Sequence, residues 1–469
     1  MDARSAADAA SSADAAPRPD AGLGDERCVV PAPLDTSGIH ASPGGSPTAA
    51  GTEADPLDLA SALSSDGPVA PGDTLWLAAG EYRGIFISDL RGTEAFPILV
   101  RPLPGARVTL NSDVSDEGDA GLTINGEWTR YQGLEVLSTD ADRESVENTS
   151  GPTDVSLRPG ITVFGSNVQV VNCVVHDTAQ GFSFWRPAID SELNGNIIYN
   201  NGWTAPGRGH GHAIYVQNET GTKILEDNII FFGFGTGIHA YTEGGAIQGF
   251  EVRDNVWFQT GASDPRTSQR KDGCLIGGFQ PVARLNMVDN VSWSRGRGTR
   301  LGYGGDIMNV DATLTDNYLV ESFWLRGSWE SLTLTGNAIY GNLDGLDSTL
   351  YPGNDFQPDA PTTGTRVFVH PNGYDAGRAR VAIFNYDQGP SVDVDLSSVL
   401  SLGEAYVVHS VFDLWGTPIV QGTFEGDPVT FPMGSVAPPQ PNGLPDGIAD
   451  DDDPERTFGA FIVTHSTCE

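Results

Sequence analysis

The stretch GHGHAIYVQN, residues 209–218, puts His210 and His212 at the mouth of a strand-like run, with Tyr215 and Gln217 on the face opposite Ile214 and Val216. Three further runs align with it on the first apolar residue: GITVFGS from 160, GFSFWRP from 181 and GIHAYTE from 237. Strand side chains alternate between faces, so Ile161, Phe182, Ile214 and Ile238 share one inward column. Val163, Phe184, Val216 and Ala240 share the other. The outward columns are then Thr162, Ser183, Tyr215 and His239, beside Phe164, Trp185, Gln217 and Tyr241. Aromatic rings offer flat apolar surfaces to sugar C–H faces, and imidazole, phenol and amide groups hydrogen-bond hydroxyls. The face therefore reads as a carbohydrate groove, with a protein-binding patch as the competing reading. Trp185, Arg186, Gln217, His210, Glu243 and Asp272 are its expected substrate contacts.

Two chemistries suit such a face. A histidine exchanges protons near neutrality, and a tyrosine or lysine does so once its pKa is lowered. In β-elimination of a uronate glycan, a cation neutralises the carboxylate, a base removes the C5 proton and an acid protonates the leaving oxygen. His239, Tyr241, Tyr215, His212, Lys271 and Arg270 are the candidates for these roles. Hydrolysis instead needs two carboxyl groups roughly 5 to 9.5 Å apart. Glu243, Asp272 and Asp306 are available, yet no two fall on the outward columns, which favours elimination. The H-x-H spacing also permits a metal at His210, His212 and His239, although no acidic ligand stands in register. For each histidine singly, a structural hydrogen bond remains an alternative.

The elements that position this face repeat along the chain. Asparagine precedes a short apolar run at Asn172, Asn196, Asn228, Asn255, Asn290, Asn317 and Asn337, with gaps of 24, 32, 27, 35, 27 and 20 residues. Such a period, with variable loops and β-branched strands, predicts a solenoid of short parallel strands whose corner asparagines stack from coil to coil. DPLDLASALSSDG, 55–67, is expected to form an amphipathic helix with Leu57, Ala60 and Leu63 on one face, covering the open first coil. From about 364, TRVFVHPN, RARVAIFNY, SVDVDLSSVL and AYVVHSVFDLWGTPIV alternate as antiparallel strands, a small β-sandwich expected to seal the far end.

The segment PGDTLWLAAGEYRGIFISDLRGTEAFPILVRPLPGARVTL, 71–110, resembles the first coils of right-handed parallel β-helix proteins, including lyases of the chondroitinase B and alginate lyase type. The resemblance implies an all-β fold, a right-handed single-stranded parallel β-helix followed by an antiparallel β-sandwich. With the Ala/Ser/Asp/Pro-rich start and the antiparallel strands from about 364, the chain is expected to divide into a tether over 1–50, a capped β-helix over 51–362 and a sandwich over 363–469 with an acidic loop at 438–455. The resemblance also implies a basic pair on adjacent coils, matched here only by the neighbours Lys271 and Arg270, and an asparagine and glutamate calcium set that has no counterpart in this sequence. NGLPDGIADDDD resembles the calcium loops of thrombospondin type 3 repeats, making Asn442, Asp446, Asp450 and Asp453 candidate ligands; a solvated acidic linker is the alternative.

Across 469 residues, 62 acidic side chains against 26 basic ones give a net charge of −36, which disfavours nucleic acid and anionic membranes as partners. No run approaches the length of a membrane span. The Ala/Ser/Asp/Pro-rich start suits the spacer of a secreted or surface-anchored protein, a polysaccharide is the expected partner and a monomer the expected state. Cys173 and Cys274 sit in apolar runs as small hydrophobes, whereas Cys28 and Cys468 could pair in an oxidising compartment. The only lysines are Lys223 and Lys271.

Overall fold

A computed structural model describes residues 35–115, 119–264, 271–294, 297–444, 448, 454 and 456–465. Its architecture is a parallel β-helix. Short strands, most of three to five residues, recur coil by coil and assemble three long parallel sheets with a filled apolar interior. The second of these sheets carries the aligned runs, and the third carries the runs that follow the asparagines. The β-helix begins earlier than residue 51, because Ile39–Ala41 already pairs in parallel with Thr74–Leu77. The cap helix is confined to Leu59–Leu63, where the Asp58 side chain accepts the Ser61 N–H at 2.9 Å. That start point turns Leu59, Ala62 and Leu63 inward and leaves Ala60 exposed. The helix packs on Phe86–Ser88, the first strand of the second sheet.

The corner ladder is real but begins one rung later. The Asn228 Oδ1 accepts the backbone N–H and the Nδ2 of Asn196 at 3.1 and 2.9 Å, and the same pattern climbs through Asn255, Asn290, Asn317 and Asn337 to Asn354. Asn172 stands outside it: the Cys173 N–H meets Asn196 Oδ1 at 3.0 Å, and Asn172 takes a left-handed φ of 52°. In the later coils that turn position belongs to Asp227, Asp254, Asp289 and Asp316, each just before its ladder asparagine. Asparagine tolerates this conformation better than most residues, which is why it served the turn here. Asn255→Ala would orphan the buried Asn228 N–H and the Leu225 carbonyl, which accepts from Asn255 Nδ2 at 2.8 Å. The expected loss is about 2–5 kcal/mol of unfolding free energy by denaturant titration; a change too small to measure would show that the ladder follows the fold without stabilising it.

The C-terminal sandwich lies elsewhere than expected. Its five-stranded antiparallel sheet and the pair Ser391–Val394 and Val429–Pro432 enclose a core that includes Val381, Val394, Phe431 and Val463. The other face of the five-stranded sheet, with Ala382, Phe384, Phe458 and Ile462, lies flat against Ile229, Phe231, Phe258, Trp293 and Tyr318 on the outside of the third sheet. Polar groups clasp the joint, including Arg380 Nε on Asp227 Oδ1 at 2.9 Å and Asn372 Nδ2 on Asp227 Oδ2 at 2.9 Å. The sandwich therefore covers a side of the solenoid and not its end. Leu346, Tyr351 and Phe356 of the last coil pack on the terminal core instead. The second sheet stays open.

Cys173 and Cys274 are free and fully buried, and the possible Cys28–Cys468 pair lies outside the described residues. No described helix is long and apolar enough to cross a membrane.

Candidate active site

The aligned runs pair in the expected register. Ile161, Phe182, Ile214 and Ile238 are mutual partners across four coils, as are Thr162, Ser183, Tyr215 and His239. The first set is wholly buried. The outward column continues through Leu275 and Arg300 to Trp324. Loops leaving the third sheet for the second raise a wall beside this face, chiefly the hairpin of Trp203–Ala205 and Arg208–His210 and the segments around Lys271 and Arg297. Gly211 turns the hairpin into the strand with φ +84°, and a Cβ there would sit 2.2 Å from the Ala179 carbonyl oxygen. Only glycine brings His210 and His212 to the two sides of that turn. Between wall and sheet lies a cavity of about 920 Å³.

Nine of the expected site residues line it: His239, Tyr241, Tyr215, His212, Lys271, Trp185, His210, Glu243 and Asp272. Arg186 points to solvent and pairs with Glu219 at 3.4 Å, outside the cavity wall. Gln217 also stands off the wall, donating to the Tyr215 hydroxyl at 3.0 Å. Arg270 lies outside the described residues.

The electrostatics sort the remaining groups. The Tyr215 hydroxyl donates to the Tyr241 carbonyl at 3.1 Å, and burial raises its pKa. Tyr241 stacks on His239 at 5.1 Å between ring centroids and meets Tyr303 edge-on at 5.2 Å; its phenol is also held protonated, by burial and by the neighbouring phenols and Glu243. His210 stacks on Trp203 at 5.3 Å, and burial with the Arg208 charge pushes its pKa down to about 4. Asp272 pairs with Arg300 at 3.2 Å, yet its own burial pushes the carboxyl above its ordinary value. Lys271 forms no ion pair among the described residues; burial, aided by Arg208 and Arg297, lowers its pKa. The other lysine, Lys223, is fully buried and donates to the carbonyls of Phe184, Trp185 and Gln217, a cross-link between coils.

Histidine ligation of a metal finds no support in the geometry. Both ring nitrogens of His212 are engaged, Nδ1 by the Thr236 N–H at 3.1 Å and Nε2 by His239 Nδ1 at 3.0 Å. Among the described residues Glu226, Asp254 and His370 come close enough to share an ion, but they sit where the sandwich docks, and Arg253 already neutralises Glu226 at 2.9 Å. In the acidic loop, Asn442 spends its backbone N–H on Asp177 and its Nδ2 on the Asp140 carbonyl. Asp446, Asp450 and Asp453 lie outside the described residues.

Sequence reasoning missed Arg208, Arg297, Arg300 and Tyr303, all on the cavity wall. Arg300 was within reach: extending the His239 column by two coils, through CLI (274–276) to TRL (299–301), lands on it. Arg208 comes from a hairpin excursion and Arg297 from a loop, and the register of the coils reaches neither.

No family model matches the chain, and no curated protein matches its sequence. Among solved structures it is similar to the pectate lyase Pel9A, at 16% identity and a TM-score of 0.42 over 69% of this chain and 81% of that one. An alginate lyase from Paenibacillus sp. str. FPU-7 matches at 18% identity and a TM-score of 0.44, over 63% and 96%. A lacto-N-biosidase from Eubacterium ramulus matches at 13% and 0.35, over 68% and 67%. The likeness is one of backbone path.

Proposed function

We propose that the protein is a polysaccharide lyase that cleaves a uronate-containing glycan by β-elimination in the cavity on the second sheet. One observation carries this reading. In a chain of net charge −36, three guanidinium groups, Arg208, Arg297 and Arg300, and the Lys271 amine converge on a cavity lined, among the described residues, by only two acids, Glu243 and Asp272. Such local reversal of charge suits an anionic ligand that the rest of the surface repels.

The reaction then divides among these groups. Arg300 and Arg208 hold the uronate carboxylate and make C5–H more acidic by stabilising the charge that builds on the carboxylate. The Lys271 amine, uncharged, takes the C5 proton; the C4–O4 bond breaks as the C4–C5 double bond forms. The Tyr241 phenol, kept protonated by its surroundings, gives its proton to O4. Trp185 and Tyr303 supply apolar faces for flanking sugars. We place this activity outside the cell and in a monomer.

The test is incubation with polyuronates and neutral polysaccharides, following the ultraviolet absorbance of unsaturated uronate alongside new reducing ends. Both signals should rise together on a polyuronate, and KM should rise with ionic strength. Reducing ends without absorbance would replace the lyase with a glycoside hydrolase built on Glu243 and Asp272, Asp306 being exposed and off the cavity wall. Neither signal, with retained binding, would make the protein a non-catalytic carbohydrate-binding or adhesive β-helix.

A further inference from the structure

We infer that His239 serves the reaction as a fixed, uncharged hydrogen-bond donor through its Nε2–H, and that His212 is the positioning residue that imposes this tautomer. The role in catalysis rests on the lyase reading; the tautomer does not.

A backbone N–H can only donate, so the Thr236 N–H, 3.1 Å from His212 Nδ1, requires that nitrogen to be bare. A neutral His212 then carries its proton on Nε2. That proton faces His239 Nδ1 at 3.0 Å, which must accept it. A neutral His239 is left with its proton on Nε2, on a ring that lines the cavity. No group among the described residues takes a hydrogen bond from that nitrogen. The only lone pair of His239 is thus spent on His212. Protonating Nδ1 would set one N–H against another, unless His212 moved its proton and gave up Thr236. The groups facing this pair act in the same direction. Burial and the charges of Arg208 and Arg300 hold His239 neutral to about pH 3, and burial with the His239, Arg208 and His210 rings and charges depresses His212.

The ring is also held in place. The His239 ring stacks on Tyr241 with planes 15° apart and meets Tyr215 edge-on at 5.5 Å. In elimination, negative charge grows on the uronate carboxylate oxygens as the C5 proton leaves. A preset neutral donor strengthens as that charge develops and, unlike a cation, does not first bind the ground state tightly. Neutral imidazole is known to act this way on enolates in other folds. His239 therefore does not compete with Lys271 for the role of base.

Two measurements test this. In the full chain with ¹⁵N-labelled histidine, His239 should show a protonated Nε2 and a bare Nδ1, unchanged from about pH 5 to about pH 8; its resonances are those lost in His239→Gln. In His212→Phe the His239 ring should lose its single tautomer, while burial with Arg208 and Arg300 still keeps it neutral. A δ-protonated His239, or one titrating near its ordinary pKa in the unaltered protein, overturns the inference. Kinetically, His239→Gln, which keeps an N–H donor, should retain most of kcat, whereas His239→Ala loses about 10²–10³-fold. Equal loss in both overturns the donor role. Should no polysaccharide be turned over, the spectra still decide the tautomer, and that failure falls on the proposed reaction alone.

Discussion

Lys271→Ala is expected to lower kcat on a polyuronate by about 10²–10⁴-fold, the range a positioned general base supplies. Lys271→Arg separates the two things a lysine can do in this cavity. Arginine preserves the charge and most of the reach, but it does not release a proton at any working pH. An arginine variant as slow as alanine identifies a base. One that recovers the rate identifies a carboxylate clamp and moves the base elsewhere. The pH profile gives an independent reading. Burial with Arg208 and Arg297 lowers the Lys271 pKa from its ordinary value near 10.5. The active form is the free amine, so kcat should climb as pH rises and level off below pH 10.5. A histidine base at position 239, with its pKa pushed to about 3, would give a rate already flat by pH 5. A rate still climbing above pH 5 points to the lysine and one flat by then to the histidine, so a single profile separates them.

Arg300→Ala should produce two losses with different cures. The guanidinium pairs with Asp272 at 3.2 Å, the acid being 5% exposed, and lies over the rings of Trp324 and Tyr303 at 5.5 and 6.0 Å. Removing it strands a buried carboxylate already pushed toward protonation, at an expected cost of about 3 kcal/mol in unfolding free energy. It also removes a cation from the uronate site, and kcat/KM should fall by about 10²-fold or more. Adding Asp272→Asn to the same chain removes the stranded charge, so stability should return while activity does not. If activity returned with stability, Arg300 would be scaffold alone and the carboxylate would lie with Arg208 and Arg297. Arg300→Lys should rescue neither fully, since an ammonium lacks the planar fork and the stacking surface.

What could be read before folding follows from periodicity. The register of Ile161, Phe182, Ile214 and Ile238 was legible because a strand's side chains alternate and parallel coils repeat without offset, so one correct alignment carried Tyr215, His239 and Tyr241 to the same face. Asn172 misled because it also precedes an apolar run, and only the backbone shows that it occupies the left-handed turn residue while Cys173 holds the rung. The docking of the sandwich left a trace that alternation could have exposed. IIF (229–231) and VWF (256–258) are apolar at every position, as strands covered on both faces must be. Arg208 left no such trace. It stands on a hairpin excursion whose length has no counterpart in the neighbouring coils, and its placement depends on tertiary contacts such as that with Ser150 at 3.2 Å.

The sandwich that lies along the third sheet touches strands from Val174–His176 to Tyr318–Val320, and its Tyr386 reaches Tyr318 at 2.9 Å between hydroxyls. A bare stack of coils behaves as a chain of nearest neighbours, free to fray from either end or to slip locally when a loop lengthens. A rigid splint bonded across many coils abolishes that independence. The coils beneath it must melt together, and a local insertion is resisted by neighbours far beyond the next rung. The opposite face is thereby released from structural duty, and its loops can vary in length and composition while the floor beneath them keeps its register.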